Sequence, residues 1–202
     1  ASGANLVVNG TLELAAGDCT GYENDDESIR VINLGNAQQG GAVLHVSTSL
    51  AGYSKNQTLG GTVINMYGSS ITGVDGSNVD LFTDASAVNV YAVEGGASES
   101  VIGVSPLQLR QSDSTFMVDA GASLVINSLM GDRAPSMSAD GNHKLIKTGG
   151  GTLKLTNAGN VYSGGTEVNG GNLLVQGGSL GRGAIVVNAG ALELESATIT
   201  GE

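Results

Sequence analysis

The stretch KTGGGTLKLTNAGNVYSGGTEVNGGNLLVQGG, residues 147–178, places short apolar segments between pairs of glycines and carries almost no charge. Within it and just after it, the pattern Gly-x-Leu-x-Leu/Val occurs three times, as GTLKL, GNLLV and GALEL. The central leucines Leu153, Leu173 and Leu192 are separated by 20 and 19 residues. Self-similarity at a fixed spacing is the sequence signature of a repeat architecture, so this stretch decides the fold.

A second series of matches runs alongside the first. Residues 161–169 (VYSGGTEVN) overlay residues 180–188 (LGRGAIVVN) at an offset of 19. Each joint between the two series contains an Asn or Asp and a small turn, and it recurs as VNGTL at residues 8–12 and VDAGASL at residues 118–124. Apolar and polar residues alternate inside these pieces, which indicates half-buried β-strands. The sequence therefore predicts an all-β chain of short strands and tight turns.

Short strands that repeat every 19–20 residues predict a right-handed parallel β-helix, a solenoid. Equivalent strands would stack in ladders about 4.8 Å apart, and their inward side chains would share one apolar core. We expect right-handed winding because about 98% of parallel crossovers are right-handed. Residues 1–202 are predicted to form a single domain, with insertion loops near residues 15–28 and 130–143, where the pattern is interrupted.

The corners of the predicted coils are assigned to small residues. Gly151, Gly171 and Gly190 precede equivalent strands, and glycine suits corners that need a positive φ or a close backbone approach. Asn169 and Asn188 occupy equivalent positions one coil apart. We expect their side chains to form a hydrogen-bonded ladder, with the two side chains no more than about 7 Å apart given the strand spacing.

Charge is scarce and mostly negative, with 8 Lys and Arg against 19 Asp and Glu and a formal net charge of −11. Nucleic acid and anionic membrane surfaces both require clustered basic residues, so neither partner is expected. The apolar runs fall far short of the roughly 20 residues that span a bilayer, so no membrane insertion is expected. Cys19 is alone, so no disulfide can form within the chain.

The string of residues 145–175 resembles the passenger-associated β-strand repeat of bacterial autotransporter passenger domains. The matching elements are K-T-G-x-G-T-L at residues 147–153, N-x-Y-S-G-G-T at residues 160–166 and V-N-x-G at residues 168–171. The resemblance implies the passenger part of a type V secretion system, that is, a right-handed β-helix displayed on the cell surface or secreted. Such a β-helix normally acts as a stalk or adhesin.

The sequence contains no recognisable motif for catalysis, for a cofactor or for a metal. There is no Gly-Lys dipeptide for a phosphate loop and no G-x-G-x-x-G pattern, and no serine lies in a nucleophile turn. The acidic residues of segment 15–28 match no EF-hand spacing, so we expect a solvated loop. We expect no enzyme activity and no cofactor. The alternative is a polysaccharide-active β-helix enzyme, although the basic residues are spread along the chain.

The predicted loop at residues 130–143 is the candidate recognition element, because loops on rigid scaffolds carry function more often than the scaffold does. Its candidate binding residues are Asp132, Arg133, Asp140 and His143. A passive insertion is at least as compatible with the pattern. The partners considered are a host surface protein, a host glycan or a second copy of the chain. A segment that serves folding and secretion of a longer passenger is a further alternative.

Overall fold

The computed structural model describes residues 4–15, 29–47, 56–58, 62–74, 78–82, 87–110, 113–132 and 142–199. The regular structure within these ranges consists of strands. The strands are β1 (Ala4–Val8), β2 (Thr11–Leu14), β3 (Ile29–Leu34), β4 (Val43–Val46), β5 (Asn56–Thr58), β6 (Val63–Tyr67), β7 (Ser70–Gly73), β8 (Asn78–Phe82), β9 (Ala87–Tyr91), β10 (Glu99–Ile102), β11 (Leu107–Arg110), β12 (Ser114–Val118), β13 (Ser123–Ile126), β14 (Met130–Asp132), β15 (Leu145–Thr148), β16 (Thr152–Leu155), β17 (Thr166–Gln176), β18 (Ser179–Leu180), β19 (Ile185–Glu195) and β20 (Thr198–Ile199).

The strands pair in parallel, each with the equivalent strand of the next coil. One side carries β1, β3, β6, β9, β12 and β15, and a second side carries β2, β4, β7, β10, β13 and β16. Strands β17 and β19 turn the corner between these sides and continue both ladders. A third side is formed by β5, β8, β11 and β14, with β18 and β20 pairing farther along the chain. This is an all-β parallel solenoid, like a β-helix, and the handedness of its winding stays a prediction.

The length of a coil differs along the chain. Leu153 pairs with Leu173, and Leu173 pairs with Leu192, so the spacing of 20 and 19 residues in the sequence is the spacing of paired strands here. Nearer the N-terminus the paired residues are farther apart, as in Leu12 with Leu44 and Leu124 with Leu153. The additional residues lie in the connections between strands, so the ladders continue although the 19- to 20-residue period does not.

Alternation along each strand builds the core. In β6, Ile64 and Met66 point inward and are fully buried, while Val63 and Asn65 are partly exposed. Paired residues stack into inward columns, one of which runs Leu6, Ile32, Ile64, Val88, Phe116, Lys147, Val168 and Val187. Each fully buried aliphatic side chain contributes about 1.5–3 kcal/mol relative to an exposed one.

The two predicted insertions lie largely outside the described residues. Segment 16–28, with Cys19, and segment 133–141 are not among them. The start of the second predicted loop is a strand, because Met130–Asp132 is β14 and pairs with β11. A single domain over residues 1–202 stays a prediction. Among the described residues, no helix has the length and apolar character needed to cross a membrane.

Candidate functional site at the glycine-rich repeat

The predicted corner glycines lie almost on top of one another. Gly171 and Gly190 have φ angles of +63° and +84°. A Cβ added to Gly171 would lie 2.3 Å from the carbonyl oxygen of Gly151, and one added to Gly190 would lie 2.2 Å from that of Gly171. Gly151 has an ordinary φ, but its Cβ would lie 2.2 Å from the carbonyl oxygen of Asp119. Close approach between coils therefore requires glycine at all three positions.

The side chain of Lys147 lies inside the solenoid at this corner, and it is 0% exposed. Its Nζ donates to the carbonyl oxygens of Thr148 at 2.6 Å, Gly149 at 2.8 Å and Gly170 at 3.1 Å. Burial lowers the pKa of Lys147 from 10.5 to about 8. Lys147 was not among the candidate site residues predicted from the sequence. The signal was present, because Lys147 stands two positions after inward-facing Leu145 in an alternating strand.

On the outside of the same corner, the structure brings Asn169 and Asn188 together. Nδ2 of Asn188 donates to Oδ1 of Asn169 at 2.8 Å. Both amides also donate to Oε1 of Glu167, at 2.9 Å from Asn169 and 3.2 Å from Asn188, and Lys144 Nζ lies 3.5 Å from Glu167 Oε2. The hydrogen bond from Asn169 is the main cause that lowers the pKa of Glu167. The outer corner is thus a small polar network.

A second asparagine ladder, absent from the sequence analysis, lies on the outer face of β3, β6 and β9. Asn65 donates to Asn33 at 2.9 Å, and Asn89 donates to Asn65 at 3.0 Å. The rings of Tyr67 and Tyr91 stack beside it with centroids 5.0 Å apart. In the sequence, each of the three strands contains an asparagine between two apolar residues. The three asparagines are not evenly spaced, so the repeat was not recognised.

Two of the four predicted binding residues lie at the base of segment 133–141. Asp132 is in register with inward-facing Leu109, and its Oδ2 accepts hydrogen bonds from the backbone N–H of Ser163 at 2.9 Å and from the Ser163 hydroxyl. The same hydroxyl oxygen accepts from the N–H of Asn142 at 2.8 Å. Ser163 therefore ties together both ends of the segment.

The second predicted binding residue at this base is His143. The carbonyl of His143 accepts from the N–H of Gly164 at 3.0 Å, so the backbone of His143 belongs to the same base. Arg133 and Asp140 lie outside the described residues. Oδ1 of Asp132 is buried without a hydrogen-bond partner among the described residues. Through its other carboxylate oxygen, Oδ2, Asp132 is anchored to Ser163 of the neighbouring coil.

The chemistry of these groups is that of structural contacts. A Ser-His-Asp triad requires an imidazole between hydroxyl and carboxylate, whereas the Ser163 hydroxyl donates directly to Asp132. His45, on another strand, forms a hydrogen bond with the Thr72 hydroxyl at 2.8 Å. Within the part of the chain that the structure describes, no group of three or more His, Cys, Asp or Glu residues could hold a metal ion.

Comparison with known families identifies the segment that contains this corner. The family model described as passenger-associated-transport-repeat matches residues 145–175. Neither a search of curated proteins nor a search of solved structures found a match. The matched residues include Lys147, Gly151, Ser163 and Gly171, which make the contacts described above, and Tyr162, which is fully buried with its hydroxyl 2.7 Å from that of Thr166. Residues 145–175 therefore match the passenger-associated-transport-repeat, consistent with the repeats of autotransporter passengers.

Proposed function

We propose that this chain is a non-catalytic segment of an autotransporter passenger and that it serves as a rigid stalk. The observation that supports the proposal is the inward column from Leu6 to Val187, which passes through every layer of paired strands. Each layer is hydrogen-bonded to the next along more than one side. Bending such a rod requires breaking ladder bonds, so it holds whatever it carries at a fixed distance.

The proposal includes right-handed winding of the rod and a location outside the cell. The rod winds to the right, as parallel crossovers do in about 98% of cases, and each layer adds about 4.8 Å to its length. The passenger-repeat family implies export to the cell surface or secretion. The stalk would therefore stand outside the cell, where its weakly charged surface faces solvent.

A deletion of one whole coil tests the stalk. Leu155 and Val175 are in register, so removing residues 156–175 joins equivalent points of two coils. For the chain displayed on bacteria through a heterologous anchor, we expect folding and display to persist. Scattering from the purified protein should show a rod shorter by about 4.8 Å. Deleting residues 156–165 instead joins non-equivalent points and serves as the control that should not fold. Loss of folding in both variants would contradict the stalk.

A recognition role for segment 133–141 is the second candidate, because a built base supports it. Ser163 holds Asp132 and Asn142, the residues on either side of the segment, and a fixed base lowers the entropy cost of presenting a loop to a partner. The partner would be a host surface protein or glycan. Replacing residues 133–141 by a Gly-Ser linker of equal length should abolish binding of displaying bacteria to host cells. Unchanged binding would leave the stalk as the function.

A further inference from the structure

Lys147 interrupts a column that is otherwise apolar. Its neighbours in the column are Phe116 in the preceding layer and Val168 in the following one, and all three side chains are fully buried. A charged group removed from water is costly unless it is paired and hydrogen-bonded. A lysine at this position therefore requires a compensating set of contacts.

The contacts match the donors of an ammonium group one for one. A lysine ammonium has three N–H donors and no acceptor, and three backbone carbonyls lie within hydrogen-bond distance of Nζ. Two of them, those of Thr148 and Gly149, belong to the coil of Lys147 itself. The third, that of Gly170, belongs to the next coil. The ammonium thus connects the corner of one coil to the corner of the coil above it.

The glycines at these corners leave room for the ammonium and for little else. A Cβ added to Gly170 would lie 3.3 Å from the carbonyl oxygen of Gly149, and one added to Gly171 would lie 2.5 Å from the same atom. The backbones of the two corners are therefore close enough for one small cation to bind both.

We propose that Lys147 is a lock between coils, whose buried amino group couples residues 166–199 to the preceding part of the solenoid. In a solenoid, stability is a sum of terms for each coil and for each interface between neighbours, and Lys147 contributes to one interface. Without the lock, residues 166–199 open as a unit while the earlier coils stay closed. The repeat then does more than stack on its neighbours, because the Lys147 contact determines at which interface the rod opens.

Hydrogen exchange followed by mass spectrometry tests the lock on the full chain. In the wild type we expect rapid exchange over residues 185–199, whose apolar side chains are partly exposed, and strong protection over residues 166–180. In Lys147→Met, exchange over residues 166–180 should rise at least tenfold while residues 87–110 and 113–132 remain protected. Lys154→Met is the matched control, because Lys154 points outward from β16 and is partly exposed. It should leave the pattern unchanged.

Two results would overturn the lock. One is unchanged exchange over residues 166–180 in Lys147→Met, and the other is an equal loss of protection over residues 87–132 and 166–180, which indicates general destabilisation. If Lys147→Met does not fold, Lys147→Gln provides the test, because its amide retains two N–H donors. Its exchange over residues 166–180 should exceed that of the wild type by less than tenfold. Wild-type exchange there would refute the lock.

Discussion

Gly171 lies in β17 and Gly177 directly follows it. Together they allow the cost of backbone strain to be measured apart from the cost of steric contact. Gly171 and Gly177 share a φ of +63°. A Cβ on Gly177 would meet nothing within 4 Å, whereas a Cβ on Gly171 would lie 2.3 Å from the carbonyl oxygen of Gly151. Replacement by alanine therefore places a Cβ on a residue with the same positive φ at both positions, but only at Gly171 does that Cβ also meet another coil.

We expect Gly177→Ala to lower the free energy of unfolding by about 1–2 kcal/mol, the cost of a left-handed conformation for a residue with a Cβ. Gly171→Ala adds the cost of pushing two coils apart, about 1–3 kcal/mol more. Urea unfolding of both variants measures the difference. Equal losses would mean that the close approach of the corners contributes nothing.

Lys147 makes stability depend on pH in a defined direction. Its pKa is about 8 in the folded protein and about 10.4 in an unfolded chain. Below about pH 8 both states hold the proton. Between about pH 8 and 10 the unfolded state binds more protons, so the free energy of unfolding rises with pH.

The expected result is a rise in the stability of the wild type relative to Lys147→Met between about pH 7.5 and 9.5, because only the wild type carries this group. Urea unfolding across this range measures it. The range ends below pH 10 because burial raises the pKa of Tyr162 and Tyr91, and ionisation of these two tyrosines lowers stability only above that pH. Parallel curves for the two proteins would contradict the expected linkage.

At the scale of elements, the ladder of Asn33, Asn65 and Asn89 joins three strands through side chains. Asn65 makes two of the ladder bonds and Asn33 makes one. A hydrogen bond of this kind contributes about 1 kcal/mol. We expect Asn65→Ala to cost about twice as much as Asn33→Ala in urea unfolding. Equal costs would show that the amides are satisfied by water instead of by each other.

The regular spacing of residues 145–199 is what allowed strands and corners to be predicted there. Leu153, Leu173 and Leu192 are paired as their spacing indicated. In the earlier coils the connections differ in length, so the ladder partners Asn33, Asn65 and Asn89 stand 32 and 24 residues apart. No fixed offset could connect them.

Two charged side chains have structural contacts that the sequence alone did not indicate. From the sequence, Lys147 is one of the scattered basic residues and Asp132 is part of a predicted loop, although strand alternation directs both inward. Hydrogen bonds to the backbone are what allow these charged side chains to point inward. One of the three carbonyls that bind Lys147, that of Gly170, and the N–H of Ser163 that binds Asp132 belong to neighbouring coils, and a linear pattern does not reveal them.

At the scale of the whole molecule, the interior and the C-terminal face of the rod differ in burial. Val175 and Leu194 occupy the same position in successive layers, yet Val175 is 0% exposed and Leu194 is 46% exposed. The column residue Val187 is 45% exposed as well. The last described layer therefore gains less from burial than the layers before it.

We expect Val175→Ala to lower the free energy of unfolding by about 2 kcal/mol or more, because it leaves a cavity in the core. Leu194→Ala removes more atoms but should cost less than about 1 kcal/mol, since the side chain is half in water. Thermal and urea unfolding of the two variants measure the difference. A larger cost at Leu194 would mean that its layer is covered in solution.

The register of the ladders also determines how the chain can fold in time. Each strand pairs with the strand one coil away in sequence, at most about the distance from Leu12 to Leu44, so folding can propagate from one coil to the next. Each new coil can form as soon as the coil before it is in place. Nothing already folded has to reopen, and no contact must wait for the far end of the polypeptide.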